Sequence, residues 1–200
     1  MSIQQINGTY LINEDRVLFR FNTQNHEEYR FWFTRRVTLF ILAATTHLLA
    51  KKMEQTHSVD AAKAIGEFEK EAILEAAKTG NAQSQTYESG VNLPIGFDPV
   101  LVMDVTCALT KNGEKLAQLS DVKEGEIDNE LSMDFVLPGG ANLNLKLPPN
   151  TLQAMCVLLD QLRLQAGWGE GILQLKNSPQ QEQASDENSE VKTSKNYSIH

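Results

Sequence analysis

The sequence predicts an α+β fold in which antiparallel sheets are built from two similar hairpin-then-helix units, with helices packed on one face. Three observations predict it. Residues 16–52 and residues 131–166 share a layout of two alternating strands running straight into an amphipathic helix. Each strand pair turns over a polar or glycine-rich stretch. The alternation puts the large apolar residues of each hairpin on one side. Residue identity between the units is low, so they share a layout rather than a demonstrated duplication.

Taken in order, residues 3–12 read as a leading strand pair or one bent strand, broken near Asn7-Gly8. In the first hairpin Val17, Phe19 and Phe21 face Tyr29, Phe31 and Phe33, across a turn around Asn22 to Asn25. Thr34 then suits a helix cap, and Val37, Phe40, Ile41, Ala44, Leu48 and Leu49 fall on one stripe. Ser58 opens a second helix, 59–78, with Ala62, Ile65, Phe68, Ala72 and Ile73 inward and Glu67, Glu71, Glu75 and Lys78 outward. Residues 79–97 read as a polar connector with a short strand at Gln85–Val91. A strand Pro99–Thr110 follows, with an Asn112-Gly113 turn and a return strand from Leu116 to Ser120.

In the second hairpin Leu131, Met133, Phe135 and Leu137 face Leu143, Leu145 and Leu147 across Pro138-Gly139-Gly140. Pro148-Pro149-Asn150 leads a helix with Leu152, Met155, Cys156, Leu159 and Leu162 on its stripe. Gly167 suits a left-handed helix terminus, with Trp168 folding back on the core. The expected organisation is a first unit over 1–79, a connector over 80–97, a second unit over 98–176 and a disordered tail over 177–200. The tail, rich in Ser, Gln, Glu, Asn and Lys, has too little apolar surface to offset its chain entropy.

The 41% apolar content suits one substantial domain or two small ones. Nothing reads as a signal peptide or a membrane span, and Cys107 and Cys156 lie on apolar-rich segments, so they read as reduced, buried small hydrophobes. The expected compartment is cytoplasmic. The net charge of −8 is uneven, with +2 over residues 1–57 and −6 over residues 98–175. The basic region therefore either pairs with the acidic half or is a partner surface.

Catalytic chemistry is sparsely supplied. There is no P-loop, G-x-G-x-x-G, G-x-S-x-G or H-E-x-x-H pattern, and GWGEG at 167–171 follows a helix, where a phosphate cradle would open one. His26, His47, His57 and His200 form no ligand spacing. The acidic residues Asp121, Glu124, Glu126, Asp128, Glu130 and Asp134 lack EF-hand order and read as a solvated loop leading into an edge strand. No cofactor, metal or catalytic residue is expected.

One surface constellation stands out. Opposite the inward aromatic set lie Arg16, Leu18 and Arg20, then Glu28, Arg30 and Trp32. Arginine and tryptophan on one sheet face suit an interaction hot spot, and they also suit stacking on bases beside neutralised phosphates. The alternative is that another layer of the same chain covers them. In the second hairpin the equivalent face is Ser132, Asp134, Val136, Asn142, Asn144 and Lys146, which reads as solvated.

The runs EDRVLFRFNTQNHEEYRFWFTRR and LPPNTLQAMCVLLDQLRLQAGWG resemble segments of conserved, uncharacterised proteobacterial proteins, a resemblance that carries no activity with it. The strands-then-helix order used twice is similar to the layout of the PUR and Whirly single-stranded nucleic-acid binders. The expected function is a non-catalytic interaction or assembly module that binds a protein partner, or itself, through Arg16, Leu18, Arg20, Arg30 and Trp32. The alternative is single-stranded nucleic-acid binding through the same face. Neither reading involves a membrane.

Overall fold

The structure, a computed structural model, describes residues 2–54, 57–78, 86–116 and 126–169. Its elements are β1 (Ile3–Leu11), β2 (Arg16–Thr23), β3 (Glu28–Thr34), α1 (Arg35–Met53), α2 (Val59–Lys78), β4 (Val100–Leu101), β5 (Asp104–Lys111), β6 (Glu114–Lys115), β7 (Leu131–Val136), β8 (Asn142–Leu147) and α3 (Pro149–Gln165). The strands form two four-stranded sheets, ordered β1-β2-β3-β4 and β6-β5-β7-β8. All pairings are antiparallel except β3 with β4. The α+β class and the hairpin-then-helix order are therefore those the sequence predicts.

Both inner faces follow from the alternation. Val17, Phe19, Phe21, Tyr29, Phe31 and Phe33 are buried, as are Leu131, Met133, Phe135, Leu137, Leu145 and Leu147. The two sets meet: the Phe135 ring lies edge-on to Phe31 and Phe33, with centroids 5.3 and 5.4 Å apart. One apolar cluster thus takes residues from both units. The helices interlock the units. α1, which follows β3, packs on β5 of the second sheet, and α3, which follows β8, packs on β1 of the first.

Local chemistry sets the helix ends. The Thr34 hydroxyl accepts the Val37 N–H at 3.3 Å, which caps α1. α3 ends in a Schellman arrangement. Gly167 adopts φ 65°, its N–H donates to the Leu164 carbonyl at 3.1 Å, and the Trp168 N–H donates to the Arg163 carbonyl at 3.0 Å. The Asn112-Gly113 turn has positive φ at both residues, 53° and 80°, as a two-residue hairpin requires.

Several expectations are corrected. β1 runs unbroken through Asn7-Gly8. Its irregularity lies between Ile3 and Gln5. At Gly8 α3 comes close: a Cβ would lie 2.6 Å from Leu162 Cδ1. The strand expected over Pro99–Thr110 is two strands. β4 adds to β3 in parallel, and the chain then crosses at buried Val102 to the other sheet as β5. The return strand is Glu114–Lys115, earlier than expected, and residues 117–120 lie outside the described residues. Residues 86–91 form no strand.

Phe40 and Phe68 sit on predicted apolar stripes but are 38% and 71% exposed, and Ala72 is exposed as well. Helical periodicity places a residue on a face, but tertiary neighbours decide whether that face is covered. The expectations for Ala62, Ile73, Lys78 and the 177–200 tail fall outside what the structure describes. Among the described residues no helix is long and apolar enough to cross a membrane.

Candidate interaction face

The outer face of the first sheet is ordered by register into rows across the strands. Toward the β2–β3 turn the rows are Gln5–Asn22–Glu28 and Asn7–Arg20–Arg30. Toward α1 they are Thr9–Leu18–Trp32–Leu101 and Leu11–Arg16–Thr34. The predicted residues Arg16, Leu18, Arg20, Arg30 and Trp32 therefore do share one face, all half-buried, but they divide into two environments.

Arg20 and Arg30 lie beneath the connector, whose described part, 86–97, is strapped over the turn end of the sheet. The Tyr87 ring covers the Arg20 guanidinium, with 4.9 Å from Cζ to the centroid, and the Phe97 ring covers that of Arg30 at 5.0 Å. Arg20 also donates to Asn7 Oδ1 at 2.7 Å, and Arg30 to the Phe97 carbonyl at 3.2 Å. Beside them Glu28 is fully buried. Its carboxylate accepts Arg30 Nε at 2.8 Å and the Gly90 N–H at 2.7 Å.

More bonds fasten the strap. Asn22 Nδ2 donates to the Glu88 carbonyl at 2.7 Å, the Glu88 N–H donates to Gln5 Oε1 at 3.0 Å, and the Glu28 N–H donates to the Asn92 carbonyl at 2.8 Å. Burial, and to a lesser degree the nearby Glu28 carboxylate, pushes the Tyr87 hydroxyl pKa up to about 12, so it stays protonated at any physiological pH, and among the described residues it has no hydrogen-bond partner.

The strap sits close enough that only glycine fits at position 90. A Cβ there would lie 2.7 Å from Glu27 C and Glu28 N and 2.8 Å from Glu28 Cβ, which are backbone-fixed atoms. Gly90→Ala is therefore expected to destabilise the fold by about 1–3 kcal/mol, since overpacking here must move main chain. Urea unfolding would measure it. A loss within error of zero would show that the strap lifts off without cost.

Arg16, Leu18 and Trp32 lie beyond the strap. Among the described residues Arg16 has no hydrogen-bond or ion-pair partner, and Leu18, Trp32 and Leu101 are not packed against the core cluster. Leu18 and Trp32 are cross-strand partners, with Arg16 on the diagonal to Trp32. The result is a short apolar row with a free cation at its side.

The acidic stretch serves the β5–β6 turn. Asp128 accepts the Gly113 and Asn112 N–H groups at 2.7 and 3.1 Å, and the Gly113 bond first, then the Thr110 hydroxyl and the Asn112 bond, hold its carboxyl below the usual range. Glu126 pairs with Lys111 and Asp134 with Lys115, while Asp121 and Glu124 lie outside the described residues. Cys107 and Cys156 form no disulfide and are half-buried where burial was expected. Desolvation pushes Cys107 up to about 12, which leaves it a poor nucleophile, and Cys156 Sγ donates to Thr45 Oγ1 at 3.4 Å.

Sequence reasoning missed the strap. The available signal was a pair of aromatic residues, Tyr87 and Phe97, in a polar connector facing a strand pair that carries two arginines. Compared with family models, curated proteins and solved structures, the chain matches none.

Proposed function

We propose that this chain is a non-catalytic interaction or assembly module that binds a protein partner through the end of its first-sheet outer face that lies beyond the strap. The observation that carries the reading is the row Leu18–Trp32–Leu101 with Arg16 beside it, outside the core and beyond the strap. Aromatic and arginine side chains dominate interface energetics because they bury large area and keep a directional polar end. Arg20 and Arg30, spent on the strap and on Glu28, support the surface by fixing the sheet that presents it.

A photo-crosslinking side chain at Leu18 is expected to give discrete protein adducts in native cells, and one at exposed Glu67 on α2 is not. Arg16→Glu combined with Trp32→Thr is expected to abolish those adducts with little change in melting temperature. No adduct from Leu18, or the same adducts from both positions, would sink the proposal. The same face suits single-stranded nucleic acid through Arg16 and Trp32. That reading requires oligonucleotide binding that weakens steeply with salt, which fluorescence anisotropy measures directly.

A further inference from the structure

Among the described residues the two sheets present four edge strands, and three are blunted. β4 and β6 are two residues long, and both residues of β6 are charged. β8 carries Lys146 and runs into Pro148. β1 differs: it spans nine residues with no charge and no proline. Among the described residues β2 is its one sheet neighbour. Natural sheets protect a long edge with charge, proline or a bulge, because its unpaired backbone groups are a template for another strand. The single irregularity of β1 lies at its start, and from Gln5 to Leu11 the register is continuous.

The direction of the free groups follows from one bond. The Gln5 N–H points across to β2, where it donates to Asn22 Oδ1 at 2.8 Å. Alternation along an antiparallel ladder then turns the N–H and C=O groups of Ile6, Gly8 and Tyr10 to the outside. α3 covers the inner face of β1 at Gly8, but a helix spends its own backbone groups internally and offers none to a strand edge.

We infer that this edge pairs with the same edge of a second copy, β1 antiparallel to β1 about a two-fold axis, joining two four-stranded sheets into one of eight. The edge itself fits this occupant. Its outward N–H and C=O groups match those of an antiparallel copy, and β1, without charge, adds no local repulsion to the −8 that each copy carries. Gln5 Oε1 and Asn7 Oδ1 already accept within the chain, from Asn22, the Glu88 N–H and Arg20, so the self-complementary groups are those of the backbone edge, and the outer-face side chains beside it, being uncharged, offer nothing to select a charged peptide. An isologous pairing uses one patch on both subunits and closes. It would also set two Leu18–Trp32 rows on one continuous outer face, but it does not depend on what those rows bind.

Sedimentation velocity of the full chain over a range of concentrations tests this, together with backbone amide exchange. The expected result is a monomer–dimer equilibrium, with the Ile6, Gly8 and Tyr10 amides gaining protection as concentration rises while Asn7 and Thr9 are protected throughout. Thr9→Lys, at an exposed position, should move dimerisation to roughly tenfold higher concentration without lowering the melting temperature of the monomer. A chain that stays monomeric throughout would overturn the inference. So would a dimer indifferent to Thr9→Lys, or protection of those three amides already complete in the monomer, which would mean another segment of the same chain fills the edge.

Discussion

Arg30→Met is expected to destabilise the protein by about 3–5 kcal/mol, because it strands a buried carboxylate. Glu28 is fully buried, and Arg30, 18% exposed, is the cation that pairs with it. Methionine keeps the length of the side chain and its apolar contact beneath Phe97, so the loss is chiefly electrostatic. Only the Gly90 N–H would remain on the carboxylate among the described groups. Glu28→Gln in the same background removes the charge while keeping an acceptor for that N–H, and it should recover most of the loss. Such a double-mutant cycle, read by urea unfolding, isolates the pair from the packing of either residue. A single-variant cost below about 1 kcal/mol would place the pair among ordinary surface ion pairs. The strap would then be held by its bonds to Asn22, Gln5 and the Glu28 N–H and by Tyr87 over Arg20.

The inner faces were legible because alternation is a local property. Phe19, Phe31 and Phe135 point inward for reasons contained in a few residues around each. The caps at Thr34 and Gly167 were legible for the same reason. The sheet crossing at Val102 was not, because VLVMDVTCALT carries neither proline nor glycine and reads as one uninterrupted strand. The break is imposed by β3 on one side and β7 on the other, partners distant in sequence.

The candidate face shows the same division. Register put Arg16, Leu18, Arg20, Arg30 and Trp32 together correctly as a face, since strand side chains alternate. What lies over Arg20 and Arg30 could not be read, because a connector strapped down through backbone N–H groups has the composition of a free one. Glu28 illustrates the cost. A charged residue at a strand start reads as solvated, yet Arg30, two residues on and on the same face, was the local hint of a pair.

Trp168→Ala is expected to cost about 3–5 kcal/mol, as much as a central core truncation, although the residue lies beyond the end of α3. Its indole is 4% exposed, lies edge-on to the Tyr10 ring with centroids 5.6 Å apart, and donates through Nε1 to Asp15 Oδ1 at 2.8 Å. It therefore ties the end of α3 to the β1–β2 turn, closing the second unit onto the first across 153 residues of chain. The Schellman turn at Gly167 aims it there, and the Trp168 carbonyl is held by Arg163 Nη1 at 3.2 Å. Trp168→Phe separates the contributions. It keeps most of the apolar area and the ring contact but loses the indole N–H, so it should cost only about 0.5–1.5 kcal/mol. A chain ending at residue 166 should lose at least as much as Trp168→Ala, because it also removes both backbone bonds of the turn. Thermal and urea unfolding of the three variants would rank them. Equal stability of the 1–166 chain and the full-length protein would make Trp168 a surface appendage, and α3 would then need no closure onto the β1–β2 turn to stay in place.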